Sequence, residues 1–304
     1  MKVLKKASLK VHQKEAENTM SERSILEAIS HPFIVKLYYA FQSPSKLYLI
    51  LSYAAGGELF NFLAIEKMFS DDVARFYISE LLLALDHLHG LGIIYRDLKP
   101  ENVMLDNVGH VKLTDFGLSK IAIDARSVCG TVEFMAPEIL QERNSYDKAV
   151  DYWRFVLSFV LFLFSLGIML YDMITGSPPF TGPNRRKIME RVLTKKPIFP
   201  KYMTVTTRDL CTKLLKKDPN FRIGSDKIKS HRFFNKLDWA KVLAKEYHPP
   251  HVPTFNSPTD LSNFSTEFTS IPIRDSIHEQ RHLNVETSTD SLFQGFSFVA
   301  PDLL

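Results

Sequence analysis

Residues 95–102 read Tyr-Arg-Asp-Leu-Lys-Pro-Glu-Asn, and residues 115–117 read Asp-Phe-Gly. The two runs place Asp97, Asn102 and Asp115 close together along the chain. In phosphoryl transfer, one carboxylate accepts the proton of the acceptor hydroxyl, while a second carboxylate and an amide hold magnesium. The two runs supply these groups in a suitable order, and they predict phosphoryl transfer from ATP.

A cation and a third motif support this prediction. Lys99 can face the transferred phosphate, and residues 135–138 read Met-Ala-Pro-Glu. The three runs have the order and the rough spacing of the protein-kinase signature. A solvated turn residue is the alternative interpretation of Asp97, but Asn102 and Asp115 at these spacings argue against it. We therefore predict that Asp97, Lys99 and Asn102 are catalytic.

The composition is that of an ordinary globular protein, with 45% hydrophobic and 24% charged residues in a chain of 304. The net charge of +4 is too small to predict a nucleic-acid partner. The two cysteines, Cys129 and Cys211, cannot form a disulfide framework, and the first residues contain no apolar run of a signal peptide. We therefore expect a location in the cytoplasm, the nucleus or both. We also expect the protein to be a monomer.

Hydrophobic periodicity suggests a mixed N-terminal part, residues 1–53. A short strand is predicted at 2–6 and a helix at 15–29, followed by an antiparallel pair of strands at 33–41 and 46–53. The chain then changes character at a break that reads Ala-Ala-Gly-Gly, and helices dominate beyond it.

The last part of the chain has a different composition. Beyond about residue 248 the sequence is rich in Pro, Ser, Thr and Asn, and it predicts an extended tail instead of a packed domain.

Four runs carry a more specific resemblance. They read Gly-Gly-Glu-Leu-Phe at 56–60, Tyr-Arg-Asp at 95–97, Cys-Gly-Thr at 129–131 and Phe-Gln-Gly-Phe-Ser-Phe at 293–298. On these runs, residues 2–298 resemble an AGC-group serine/threonine protein kinase, most closely the ribosomal S-six kinase family. The resemblance implies an α+β fold of two lobes with an extended C-terminal tail.

The resemblance also implies boundaries for these parts. An incomplete small lobe would occupy residues 1–53, a mostly helical large lobe residues 54–233, and an AGC-type tail residues 234–304. This architecture implies that the chain is an ATP-dependent serine/threonine kinase that acts in intracellular signalling.

ATP and Mg²⁺ are the implied cofactors. Lys2 matches the strand lysine that grips the α and β phosphates, and Glu22 matches the helix acid that pairs with it. Each residue alone would be an ordinary surface charge, but their order and spacing favour the functional interpretation. The residues implied at the nucleotide are Lys2, Glu22, Leu51, Tyr53, Glu58, Met104 and Asp115, with Asn102 and Asp115 on the metal.

Three acids are implied in substrate recognition. Glu58, Glu101 and Asp172 match residues that bind arginines upstream of the target serine, and a charge-assisted arginine–carboxylate pair supplies both energy and geometry. A basic, Arg-x-x-Ser-like substrate context follows. Ordinary surface acids are the alternative for Glu58 and Glu101. Thr131 matches the residue that contacts the catalytic Asp and Lys in serine/threonine kinases.

Control by phosphorylation is implied as well. Ser127 matches the activation-loop phosphosite, and Ser276 is a candidate for the turn-motif site, although the usual following proline is missing. Ser297 lies in a hydrophobic motif that would fold back onto the small lobe and dock an upstream kinase through Phe293, Phe296 and Phe298. A disordered tail with scattered aromatic residues is the alternative. Glu138 and Arg222 resemble a buried ion pair that ties the activation segment to the large lobe.

The first departure from the family lies at the start of the chain. No Gly-x-Gly-x-x-Gly run precedes Lys2, although such a run covers the ATP phosphates in protein kinases. The hypotheses are that the sequence is incomplete at its start or that this chain binds ATP poorly. A catalytically impaired, kinase-like scaffold is therefore the alternative function.

The second departure is an apolar insert at residues 154–164, between Trp153 and Ser165. Eleven residues make about three helical turns, with a drift of only about 20°, so a helix could continue in phase. The resemblance implies that Asp151 braces the catalytic loop, and the insert would move it about 16 Å along the helix. A bulge that exposes the apolar residues is the alternative, and we expect no membrane span because family motifs lie on both sides.

Overall fold

The computed structural model of the protein describes most of the chain. The described residues are 1–11, 13–121, 131–141, 151–255, 257, 260–270 and 292–303. The predicted phosphosites Ser127 and Ser276 lie outside the described residues.

The three longest described strands lie before residue 57 together with two helices, and helices dominate after it. The strands are β1 Lys2–Lys5, β2 Leu37–Gln42, β3 Lys46–Leu51, β4 Gly57–Glu58, β5 Ile93–Ile94, β6 Val103–Leu105, β7 Val111–Leu113, β8 Lys120–Ile121 and β9 Phe298–Val299. The helices are α1 Lys6–Val11, α2 Gln13–Ala28, α3 Leu59–Glu66, α4 Asp71–Gly90, α5 Pro137–Gln141, α6 Asp151–Thr175, α7 Arg185–Thr194, α8 Val205–Leu214, α9 Ser225–Lys229, α10 Trp239–Leu243 and α11 Thr266–Thr269.

A four-stranded antiparallel sheet, in the order β1-β3-β2-β9, forms the N-terminal part. Side chains alternate between its faces, so that Leu47 and Leu49 of β3 are fully buried while Tyr48 between them is partly exposed. The buried residues Ile25 and Leu26 of α2 belong to the same hydrophobic core. The predicted strand pair is therefore present.

The strand predicted at 33–41 begins later, at Leu37, so its first part was wrong. The backbone N–H of Val35 donates to Leu113 of β7 at 3.0 Å, and the N–H of Leu113 donates to Phe33 at 2.9 Å. Residues 33–35 therefore form hydrogen bonds with β7, which follows the break, and not with β3. The content of branched and aromatic residues predicts a strand but does not reveal such a long-range partner.

Helix α4 forms the centre of the helical part that was predicted beyond the break. Ser70 caps its N-terminus by accepting from Val73 N–H, and Tyr77, Ile78 and Leu81 are fully buried. It packs against α6, and α6 packs against α8. A Cβ at Gly167 of α6 would lie 2.7 Å from the Cβ of Leu214, so a side chain there would hold the two helices apart.

Helix α6 is continuous over 25 residues, so the insert prolongs the helix and does not bulge from it. From residue 162 onward its side chains are described, and Leu163 and Phe164 at the end of the insert are fully buried. The ring centroid of Phe164 lies 5.1 Å from the Arg222 guanidinium and 5.3 Å from the Lys217 ammonium. The side chain of Asp151 lies outside the described part. Among the described residues, no helix combines the length and apolar character that crossing a bilayer demands.

Deletion of residues 154–164 is expected to leave the fold intact. Trp153 would join Ser165 with a change in helix phase of only about 20°, because eleven residues make about three turns. The face of α6 that packs on α4 and α8 is kept, so the free energy of unfolding should change by less than about 1 kcal/mol. Calorimetric melting and helix content by circular dichroism measure this.

Deletion of the ten residues 155–164 is the matched control. It rotates the two parts of α6 by about 80° relative to each other. Because apolar side chains then leave the core, a loss of about 3 kcal/mol or more is expected. Equal stability of the two deletion variants would contradict the in-phase interpretation.

Candidate active site

The Asp97 carboxylate is only 4% exposed and is held from several directions. The Asn102 amide donates to its Oδ2 at 3.0 Å and to the Asp97 carbonyl at 2.9 Å. The Lys99 ammonium lies 2.8 Å from Oδ2. The backbone N–H and the hydroxyl of Thr131 donate to Oδ1 at 3.1 and 3.2 Å. The structure thus brings the predicted catalytic residues together around one oriented carboxylate.

Backbone strain marks the two loops of the site. Arg96 and Asp115 have φ angles of 54° and 56°, in the left-handed region that non-glycine residues seldom adopt. Such conformations cost on the order of 1 kcal/mol or more and persist where the surroundings enforce them. Here the Arg96 guanidinium donates to the Leu118 carbonyl at 2.7 Å, and the Tyr95 hydroxyl donates to the Thr114 carbonyl.

Lys2 of β1 and Glu22 of α2 form the predicted pair. The Lys2 ammonium lies 2.8 and 2.9 Å from the two oxygens of Glu22 and 3.5 Å from the nearer oxygen of Asp115. Burial alone would lower the pKa of Lys2, but the two carboxylates outweigh burial and hold this pKa above its usual value. Lys2 is therefore a cation positioned beside Asp115.

The residues around Asp115 fit a magnesium-bound nucleotide. The Asp115 side chain is 50% exposed and therefore accessible. The Asn102 amide nitrogen is engaged by Asp97, so its carbonyl oxygen remains as a ligand. Mg²⁺ in nucleotide sites takes oxygen ligands, typically one or two carboxylates together with phosphate oxygens and water. Among the described residues, no group of three or more His, Cys, Asp or Glu side chains could hold a metal ion.

The segment predicted to meet adenine lies at the end of β3. Leu51 closes this strand, and Met104 of β6 pairs with Glu58 of β4. Tyr53 is 57% exposed, and its ring stacks on Phe264 with centroids 6.1 Å apart.

The tail residue Phe264 was missed by the sequence analysis. Asn263 beside it donates to the Ala55 carbonyl at 3.3 Å, so this part of the tail crosses the break that precedes β4. A polar tail without periodicity gives no sequence signal for such a contact. The aromatic residue Phe264 within this polar tail was a weak signal that it packs against the rest of the chain.

The three implied recognition acids come from different elements. Glu58 ends β4, Glu101 lies in the turn at Pro100–Asn102, and Asp172 lies on α6. Burial, and then the charge of Glu101, raise the pKa of Asp172 to about 6 and also raise that of Glu58. The charge of Glu101 therefore reaches both other carboxylates, and no described cation forms an ion pair with any of the three.

The predicted ion pair between Glu138 and Arg222 is present and buried. The guanidinium donates to the two carboxylate oxygens at 2.6 and 3.0 Å. It also donates to the Lys216 carbonyl at 3.1 and 2.9 Å. Removing one partner of such a pair typically costs about 3–5 kcal/mol, because the other charge is left uncompensated.

The hydrophobic motif is folded back onto the sheet. Phe293 and Phe296 are fully buried, whereas Ser297 is exposed. The Arg23 guanidinium donates to the carbonyls of Phe296 and Ser297, both at 3.1 Å. Gln42 donates to the Phe293 carbonyl at 3.2 Å, and β9 pairs with β2. The contact that the resemblance implied is thus present among the described residues.

Comparison with known proteins agrees with this geometry. A family model described as "Protein kinase domain" matches residues 1–234. The chain belongs to the protein kinase family. A second model, "Protein kinase C terminal domain", matches residues 256–298 of the kinase. These matches confirm the two-lobed α+β fold with its C-terminal tail.

Curated relatives confirm the resemblance to AGC-group kinases of the ribosomal S6 type. "Ribosomal protein S6 kinase beta" of Caenorhabditis elegans is 47% identical over 313 residues, which cover 100% of this kinase and 54% of the relative. "Ribosomal protein S6 kinase alpha-1" of Rattus norvegicus is 46% identical over 313 residues, with coverage of 100% and 40%. The kinase thus spans about half, or less, of the length of these relatives.

Glu22→Gln is expected to weaken binding of magnesium ATP. Without the carboxylate, the Lys2 ammonium would turn to Asp115, which already lies 3.5 Å away, and would occupy a metal ligand. A loss of about tenfold in affinity corresponds to one charge-assisted interaction of about 1.4 kcal/mol. Titration calorimetry with ATP measures it. Glu27→Gln is the control on the same helix, since the Glu27 carboxylate pairs with Arg23 and not with Lys2 in the described structure. Equal affinities of the two variants would contradict the prediction.

Phe296→Ala is expected to release the tail from the sheet. Removal of a fully buried ring should lower the free energy of unfolding by about 3 kcal/mol. Denaturant unfolding measures the loss, and limited proteolysis of the tail reports its release. Leu303→Ala, at a position 44% exposed on the same segment, should change neither readout. A tail that stays protected in Phe296→Ala would show that the motif does not anchor it.

Proposed function

We propose that the protein is an ATP-dependent serine/threonine kinase that phosphorylates hydroxyls in basic sequence contexts. The observation that carries the proposal is the Asp97 carboxylate, which Asn102, Lys99 and Thr131 orient beside the Lys2–Glu22 pair. A buried, oriented carboxylate next to a fixed cation is what proton abstraction during phosphoryl transfer requires.

The chemistry assigns a task to each residue. Asp97 orients the substrate hydroxyl and takes its proton as the oxygen–γ-phosphorus bond forms and the bond to the bridging oxygen of ADP breaks. Lys99 offsets charge on the transferred group, and Lys2 holds the α and β phosphates. Asn102 and Asp115 would hold Mg²⁺, which neutralises charge on the phosphates when it is bound.

Recognition of basic substrates is supported by unpaired acids. Glu58, Glu101 and Asp172 form no ion pair with a described cation, so a substrate arginine would meet carboxylates that are not already neutralised. We infer an Arg-x-x-Ser-like preference from this arrangement and from the family. Leu51, Tyr53 and Met104 would surround the adenine.

Regulation is part of the proposal. Ser297 is exposed beside the buried phenylalanines of the motif, so an upstream kinase could reach it. Docking of that kinase at Phe293, Phe296 and Phe298 requires the tail to leave the sheet. Ser127 and Ser276 remain proposed phosphosites outside the described residues. Action in signalling, in the cytoplasm or nucleus and as a monomer, completes the proposal.

A catalytically impaired scaffold is the second candidate. One observation favours it: β1 is an edge of the described four-stranded sheet, and the Lys2 side chain on it is 34% exposed. In protein kinases a Gly-rich turn covers the phosphates there. On this hypothesis the chain would bind partners through its tail motif without turnover.

Transfer of labelled γ-phosphate from magnesium ATP to an Arg-x-x-Ser peptide tests the proposal. We expect transfer by the parent chain and a loss of about 10²–10⁴-fold in Asp97→Asn, the range that a general base supplies. No transfer by a folded parent chain would favour the scaffold. Adding a Gly-rich segment before Lys2 and repeating the deletion of 154–164 would then show which departure abolishes activity.

A further inference from the structure

The positive charge of the chain is concentrated in one stretch, residues 185–208. This stretch contains eight Lys or Arg residues and a single acid, Glu190. Since the whole chain carries a net charge of only +4, the remainder of the chain is net negative. Lys195, Lys196 and Lys201 are exposed, and within the described residues none of the three forms an ion pair. The loop between α7 and α8 therefore presents a cationic surface.

Apolar side chains protrude from the same loop and from the start of α8. Ile198 is 83% exposed, and Val205 is 73% exposed. Tyr202 lies between them in the chain and is exposed as well, and its hydroxyl donates to Met68 Sδ, just beyond the end of α3, at 3.6 Å. We call this surface the α7–α8 face, and its residues are Lys195, Lys196, Ile198, Lys201, Tyr202 and Val205.

The backbone beneath the α7–α8 face is held by side chains of the large lobe. The Tyr171 hydroxyl of α6 donates to the Ile198 carbonyl at 2.6 Å. Thr204 caps the N-terminus of α8, and its hydroxyl donates to the Asp71 carboxylate at 2.6 Å. The exposed apolar side chains are thus presented by a backbone that is fixed from below. A cluster of exposed apolar side chains with a polar rim is typical of a binding surface.

The shape and composition of the face favour a planar, anionic partner. Side chains as exposed as Ile198 and Val205 stand out from the surface, so they do not line a groove that a peptide would enter. Both are aliphatic and offer no ring on which a nucleic-acid base would stack. The interface of a bilayer accepts protruding aliphatic side chains and tyrosine rings, and it attracts lysines when its lipids are anionic.

We propose that the α7–α8 face binds the surface of an anionic lipid bilayer. Ile198, Tyr202 and Val205 insert between the headgroups, and the three lysines of the face lie against the anionic groups of the lipids. This is peripheral binding, in which no segment crosses the bilayer. The proposal is independent of the proposed kinase activity, and it would bring that activity to substrates at a membrane.

The test is cosedimentation of the full chain with vesicles of two compositions, phosphatidylcholine alone and an equal mixture of phosphatidylcholine and phosphatidylserine. We expect binding to the mixed vesicles and none to the phosphatidylcholine vesicles. Binding should fall steeply with added salt, because the screening length shrinks to about 3 Å at 1 M. No transfer of phosphate is involved, so failure of the proposed activity leaves this test unaffected.

Two variants separate the charged and the apolar contributions of the face. Lys195→Ala combined with Lys196→Ala should weaken binding to mixed vesicles about 25-fold, since each lysine near an anionic surface contributes about fivefold. Ile198→Ser should weaken it about tenfold, because an aliphatic side chain no longer leaves water. Both variants should melt at the temperature of the parent chain, as the replaced side chains are exposed.

Matched controls remove the same groups elsewhere. Phe221→Ser replaces an apolar side chain that is 75% exposed, and Lys227→Ala combined with Lys241→Ala removes two exposed charges from α9 and α10. These variants should bind mixed vesicles within about twofold of the parent chain, the change expected when no contact with the bilayer is lost.

Three outcomes would overturn the proposal. One is a control variant that loses as much binding as the matching variant of the face, which would assign the effect to net charge or general hydrophobicity. Another is equal binding to both kinds of vesicle. The third is binding of soluble polyglutamate without binding to vesicles, which would assign the face to an acidic protein partner.

Discussion

The hydrogen bonds that converge on the Asp97 carboxylate are the interaction on which the site depends. Lys99 holds it from the catalytic loop, and Thr131 holds it from the segment that leads to α5. The same segment is anchored farther along by the buried pair of Glu138 and Arg222. A buried charge is stable only when its partners are complete. Asp97 therefore keeps its position in the catalytic loop only while this segment stays anchored by its ion pair.

The same principle distinguishes two acids of the cleft. Asp97 is buried and satisfied by donors of the chain itself, so its geometry is fixed before any substrate arrives. Asp172 is equally buried, but no described cation forms an ion pair with it, and the charge of Glu101 adds to burial in raising its pKa. A carboxylate held by donors of the chain suits chemistry, since its orientation must not change. A buried carboxylate without a described ion pair suits the arginine recognition that we propose, because binding a cation offsets the cost of burying its charge.

Contacts across long stretches of chain complete the small lobe. Strand β9 pairs with β2, Phe296 enters the core beneath the sheet, and Arg23 of α2 caps the carbonyls around Ser297. Near the break before β4, Phe264 stacks on Tyr53. The stretches of the tail around Asn263 and Phe264 and around Phe293 to Val299 are therefore packed against the rest of the described chain. The polar composition of the tail had predicted an extended segment, and only the motif itself pointed to docking.

Local chemistry by itself determined much of this protein. Ordered motifs predicted the cluster around Asp97, and apolar periodicity predicted α2 and the strand pair, because helix and strand repeats are properties of neighbouring residues. Tertiary structure decided the diversion of residues 33–35 to β7, the unbroken course of α6, and the absence of an ion-pair partner for Asp172 among the described residues. These depend on which distant groups meet. A residue type states what bonds a side chain can form, but burial and the presence or absence of a partner arise only when the chain is folded.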